Sequence, residues 1–154
     1  MTVNNYNSYK LKISKSGYQC LSVNGEKVSH FISPDTKPNK QKLYVLKDGS
    51  EIYYVGMTSQ PISARLRIGY RAKGEHGYHG YKWIGEVSSA ELLVWCFTHD
   101  DPAITEAIEG ELVYLIRNNT GKWPTYQMEI HFHNATDSEK QIAGSICSQC
   151  LSNS

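Results

Sequence analysis

The chain of 154 residues, 40% hydrophobic and 20% charged, has the size of one compact globular domain and is too short for two of ordinary size. It contains no apolar run near the roughly 18 residues that would cross a bilayer, and the opening MTVNNYNSYKLKISK lacks the apolar core and cleavage site of a secretory signal, so a cytoplasmic location is expected. The net charge of +1 hides an asymmetry: residues 1–82 carry 13 Lys and Arg against 5 Asp and Glu, and residues 83–154 carry 3 against 10, a split that suits contact with phosphate and that solvated surface charge explains equally well.

Residues 9–32 alternate polar and apolar positions around Asn24-Gly25, a pair that tolerates the positive φ angles of a tight turn, and predict a β-hairpin. SPDTKPNKQ, residues 33–41, holds two prolines and reads as a linker, with a boundary near residue 41. KLYVLK (42–47) and EIYYVG (51–56) flank Asp48-Gly49 and predict two antiparallel strands. A helix follows, with Thr58 in its cap region, Pro61 in its first turn and Ile62, Leu66 and Gly69 on one face. The stretch RAKGEHGYHGYKWIGE has too many glycines for a regular element and reads as a functional loop.

SSAELLVWCFT (88–98) predicts a third strand, and Asp101-Pro102 opens a helix that Gly121 should end. YQMEIHFH alternates like a further strand, and the tail after Asn134 forms a last helix. Its Cys147 and Cys150 have the CxxC spacing of a zinc site, for which His131 and His133 could supply a second pair, but helical packing accounts for both thiols more simply. With Cys20 and Cys96 they are expected to be free, as in an unexported chain.

Several of these segments resemble the motifs of GIY-YIG nucleases. Leu43-Tyr44-Val45 resembles the "GIY" segment and Tyr54-Val55-Gly56, ten residues on, the "YIG" segment; Thr58, Arg65-Leu66 and Glu109-Gly-Glu-Leu112-Val113 resemble the Thr, helical Arg-Leu and metal-binding Glu motifs that follow. Lys42 stands where the family has glycine, Arg67 rivals Arg65, Glu111 rivals Glu109, and the His or Tyr expected after the arginine has Tyr70 as its nearest candidate. Pro124-Thr-Tyr126-Gln127 resembles a terminal Pro-x-Tyr-Asn pattern, with Gln127 for asparagine and Asn134 as a fallback. The resemblance covers about residues 42–127 and is nearest to the small restriction enzymes of the family.

The resemblance implies an α+β fold with a small three-stranded antiparallel sheet flanked by helices. To it are added the N-terminal hairpin with its linker (residues 1–41) and a C-terminal strand and helix, the catalytic part spanning 42–134 and the tail 135–154. It also implies a Mg²⁺- or Mn²⁺-dependent endonuclease acting on double-stranded DNA, as a homodimer when both strands are cut. Tyr44 would orient the attacking water or take its proton, Tyr54 would bond the phosphate or water network, Arg65 would hold the phosphate in its planar fork, and Glu109 would bind the metal. Gly56 would let backbone approach the site closely, and Tyr53 would point away by strand alternation. Arg67, Tyr70, Arg71, Lys73, His76, Lys82 and Gln127 are candidate DNA contacts, in a loop that interleaves cations with Tyr78, His79, Tyr81 and Trp83. Two other readings stay open: a repair, recombination or homing nuclease for branched or single-stranded DNA, and a DNA-binding module without catalysis.

Overall fold

The structure, a computed structural model, describes residues 6–74, 80–127 and 134–152. Alternating Tyr9, Leu11 and Ile13 with Lys10 and Lys12 makes β1 (Asn7–Ile13) a one-faced strand, which turns at Ser14–Gly17 into β2 (Tyr18–Val23). The turn is closed by the Ser14 N–H and hydroxyl on the Gly17 carbonyl, at 2.8 and 3.1 Å. Asn24 and Gly25 do adopt positive φ, 50° and 89°, as a primed turn requires. They lead only into the two-residue β3 (Glu26–Lys27), so the main hairpin, closing where Ile13 faces Tyr18, is centred nine residues before Asn24-Gly25. The chain leaves the sheet beyond Lys27, where Phe31 enters the core and Val28 packs against it.

β4 (Lys42–Asp48) and β5 (Glu51–Thr58) pair antiparallel as predicted, helix α1 (Ile62–Arg71) follows, and the third expected strand is β6 (Ser89–Cys96). The expectation of a three-stranded sheet with a separate hairpin is corrected by one pairing: β1 runs antiparallel to β6 from Asn7–Val94 to Lys12–Ser89. All strands therefore form one six-stranded antiparallel sheet, ordered β3-β2-β1-β6-β4-β5. With neighbours on both edges and cover on both faces, β6 can bury Leu92, Leu93, Val94 and Trp95 in succession.

The two faces carry separate cores. Tyr9, Leu11, Tyr44, Leu46 and Leu92 meet Ile62 and Leu66 of α1 together with Tyr81 and Trp83. On the opposite face Leu43, Val45, Ile52 and Val55 meet α2 (Pro102–Thr120) and α3 (Asp137–Ser152). Helix α2 starts and stops where its sequence says: the Asp101 carboxylate accepts from the Ala103 N–H at 2.9 Å, and Gly121 turns left-handed at φ 84°. Helix α3 is entered through a reciprocal cap, Thr136 N–H to the Glu139 carboxylate and Glu139 N–H to the Thr136 hydroxyl. Cys147 and Cys150 are buried in the second core, as packing required. Among the described residues no helix is long and apolar enough to cross a membrane.

Residues 33–41 are tied down rather than free to act as a linker. Asp35, 1% exposed, accepts from the Tyr9 hydroxyl at 2.5 Å and the Asn7 amide at 2.9 Å, while its carbonyl accepts from the Ile62 N–H that begins α1. Lys42, fully buried, donates to the carbonyls of Lys37, Lys40 and Gln60 at 2.7–3.0 Å. Lys42 thus clamps the approach to α1. Thr58 belongs to β5, and Pro61 holds the cap position of α1. Of the predicted strand YQMEIHFH, residues 128–133 lie outside the described residues, with His131 and His133 among them; so do Glu75, His76, Gly77, Tyr78 and His79.

Candidate active site

Tyr44 and Gly56 are directly opposite in the β4–β5 ladder. A β-carbon on Gly56 would stand 2.5 Å from the Tyr44 ring and hydroxyl, so only glycine lets that ring lie across β5. The glycine of the second motif is therefore buried beneath the tyrosine of the first, and its close approach is to that side chain rather than to a ligand.

A second aromatic meets Tyr44 from the other side. The Tyr44 and Tyr81 hydroxyls are 2.9 Å apart in a buried hydrogen bond. Tyr81 is seated by two glycines. A β-carbon on Gly69 of α1 would fall 2.2 Å from its ring, and one on Gly80, at φ 85°, would fall 2.3 Å from the Gly69 carbonyl oxygen. Tyr54 closes the group, edge-on to Tyr81 at 5.3 Å and tilted against Tyr44 at 6.2 Å between ring centres. The Arg65 guanidinium lies over the Tyr81 ring, 5.0 Å from its centre, a cation–π distance.

Tyr44, Tyr54 and Arg65 are thus gathered around Tyr81, a residue whose sequence context is only a basic loop, with Gly56 beneath Tyr44. The spacing of Arg65 to Tyr81 gives no periodic signal, because Tyr81 lies beyond the end of α1 at Arg71; the glycines at 69 and 80 were the legible hint. Trp83 stacks on Tyr81 at 4.8 Å and is 2% exposed, so this half of the predicted functional loop is core, leaving Lys82 and Lys73 exposed beside it.

The position of Tyr53 corrects the alternation argument. Leu46 pairs with Tyr54 and Lys47 with Ile52, which leaves Tyr53 as the extra residue of a β-bulge. Tyr53 and Tyr54 both pack against the α1-side core as a result, and Tyr53 meets Tyr126 at 5.7 Å. Gln127 is engaged by the same edge. Its amide accepts from the Val55 N–H at 2.9 Å and donates to the Val55 carbonyl at 3.0 Å. Together with the Tyr126 N–H on the Tyr53 carbonyl at 2.8 Å, this fastens the segment after α2 to the open side of β5. Its visible work is to hold β5 in place.

Arg67 faces away from this group, and Tyr70 is separated from Tyr81 by Trp83. Arg67 stands two residues, about 200° of helix, from Arg65. Tyr70 donates to the Gly17 carbonyl at 3.0 Å, and burial pushes its phenol up to about 12. Both line a cleft with the β1–β2 turn, with exposed Arg71 beside them. Glu109 and Glu111 are half-buried on α2, in the layer behind the sheet.

Among the described residues no three His, Cys, Asp or Glu side chains form a metal-holding group. The available donor set is carboxylate oxygen on α2, which fits a hard ion that keeps most of its waters and does not fit a tetrahedral zinc site. No family model, curated protein or solved structure matches the chain.

Proposed function

We propose that the protein is a metal-dependent endonuclease that hydrolyses phosphodiester bonds in double-stranded DNA, in the manner the GIY-YIG resemblance implies. The observation that carries the reading is the packing of Tyr44, Tyr54 and Arg65 around Tyr81, three motif residues separated by up to 21 positions in sequence. In this reading Glu109, on the helix that packs behind the sheet, would hold Mg²⁺ or Mn²⁺, which would supply charge neutralisation and an acidified water.

The chain's own groups account for the rest. Arg65 stabilises the extra charge on phosphorus, and the cation–π contact limits the directions its fork can take. As a phenolate, the Tyr44 oxygen, with the Tyr81 hydroxyl donating to it, would take a proton from the attacking water and become the phenol; as the phenol it would fix that water's direction. Tyr54 contributes a hydroxyl to the phosphate or the water around it. One such site cuts one strand, so double-strand cleavage calls for a homodimer, and site-specific cleavage of that kind suits a restriction role. The test is incubation of plasmid DNA with the purified chain and Mg²⁺. Glu109→Ala and Arg65→Ala should abolish cleavage while largely sparing DNA binding, and full activity in either variant would sink the assignment.

A further inference from the structure

We propose that the cleft between the β1–β2 turn and α1 is a phosphate-binding track that grips the DNA backbone, with the N-terminal hairpin as one of its walls. The proposal rests on the nuclease reading for its substrate and extends it to a part of the chain outside the motifs. The cleft, about 390 Å³ and open to solvent, is lined by Ser16, Gly17, Tyr18, Arg67, Tyr70 and Arg71.

Its chemistry is that of an anion site. Arg67 and Arg71 are exposed and one helical turn apart, about 5–6 Å between β-carbons, which offers two planar forks to successive phosphates of one strand. Neither α1 nor the Ser14–Gly17 turn contains a carboxylate, and among the described residues neither arginine has an acidic partner within salt-bridge distance. The Tyr18 hydroxyl also has no hydrogen-bond partner among the described residues. Burial raises its phenol above the ordinary value, so it remains a neutral donor beside Arg67.

The walls are fixed before any ligand arrives. Tyr70 bonds the Gly17 carbonyl and meets both Tyr18, at 6.1 Å, and Trp83, at 6.0 Å, so turn and helix are joined across the floor. A preformed site avoids the ordering cost that a mobile loop would add on binding. Arg65 projects from the same helix toward Tyr81, so a strand held by Arg67 and Arg71 would run along the helix that carries the catalytic arginine.

The experiment is fluorescence anisotropy of the full chain on a labelled duplex oligonucleotide, without divalent metal, over a series of salt concentrations. Each phosphate contact contributes about 0.9 to the slope of log K against log salt, so Arg67→Ala/Arg71→Ala should flatten the slope by about 2. Arg117→Ala, on α2, should leave it unchanged. Tyr18→Phe should weaken binding a few-fold with the slope intact. An unchanged slope in the double variant, with its melting temperature preserved, overturns the track and leaves the nuclease reading standing; DNA binding through these arginines without Mg²⁺-dependent cleavage does the reverse. If inorganic phosphate alone raises the melting temperature through Arg67 and Arg71 while the DNA slope stays unchanged in the variant, the cleft is a small-anion site and the proposal fails.

Discussion

The Tyr44 and Tyr81 phenol oxygens share a buried hydrogen bond of 2.9 Å, although 37 residues separate them. Tyr81 also carries Arg65 on its ring face, so one side chain fixes both the phenol and the guanidinium of the proposed site. Tyr81→Phe keeps the ring and removes the bond. Cleavage should fall about tenfold, the effect of roughly 1.4 kcal/mol, with a melting temperature shift of only a few degrees. Single-turnover rates with Mg²⁺ check this, and an unchanged rate would make Tyr81 packing only.

The glycine seats make a stability prediction. Gly56→Ala brings a methyl to 2.5 Å from the Tyr44 ring and should cost about 1–3 kcal/mol, the range for overpacked cores. Gly69→Ala meets Tyr81 at 2.2 Å but gains about 1 kcal/mol of helix propensity, so its net cost should be smaller. Urea denaturation reads both. A cycle with Tyr81→Ala should show Gly69→Ala losing most of its penalty once the ring is gone.

Gln127 is the third case, since its amide satisfies both backbone groups of Val55 on the edge of β5. Gln127→Ala should destabilise by about 1–3 kcal/mol and speed hydrogen exchange at the Val55 N–H. Its DNA affinity, measured where both proteins are folded, should match that of the parent chain. A loss of affinity without a loss of stability would restore Gln127 to the DNA contacts.

Alkaline pH should weaken the fold in a defined window. Burial pushes the Cys150 thiol up to about 12 from an ordinary value of 9.0, and the Tyr70 phenol up to about 12 from 10.0. Between those values the native state keeps protons that the unfolded chain has released, so stability present below pH 9 declines as pH rises toward 12. Cys150→Ala should flatten part of that decline while costing packing at neutral pH. Native Cys147 and Cys150 should resist alkylation at pH 8, and EDTA should leave the melting temperature unchanged. A large drop on chelation would indicate that these thiols hold a structural metal.

What the sequence disclosed follows from the range of the interactions. The β4–β5 pair, β6, the Asp101 and Gly121 ends of α2 and the packing of Cys147 and Cys150 depend on neighbours a few residues apart, and they were legible. The β1–β6 pairing, which turns a three-stranded sheet into a six-stranded one, depends on residues about 80 positions apart and leaves no periodic trace. The bulge at Tyr53 was hidden because alternation assumes an unbroken ladder. Motif spacing singles out Tyr44, Tyr54 and Arg65, which lie together around Tyr81, and Arg65 rather than Arg67 stacks on that ring. Tyr81 escaped because its partners lie on β4 and α1. Asp35 lies in the stretch that reads as a linker, yet it is buried, and burial raises its carboxyl above the ordinary value while the Tyr9 and Asn7 bonds pull it back.

The most direct test of the central claim is a plasmid nicking assay comparing the parent chain with Tyr44→Phe in Mg²⁺ and in EDTA. The proposed site predicts metal-dependent nicking or linearisation by the parent chain, reduced at least a hundredfold by removal of the single Tyr44 hydroxyl, with DNA binding retained. No cleavage by the parent chain in Mg²⁺ or Mn²⁺, or equal cleavage by the folded variant, would contradict it.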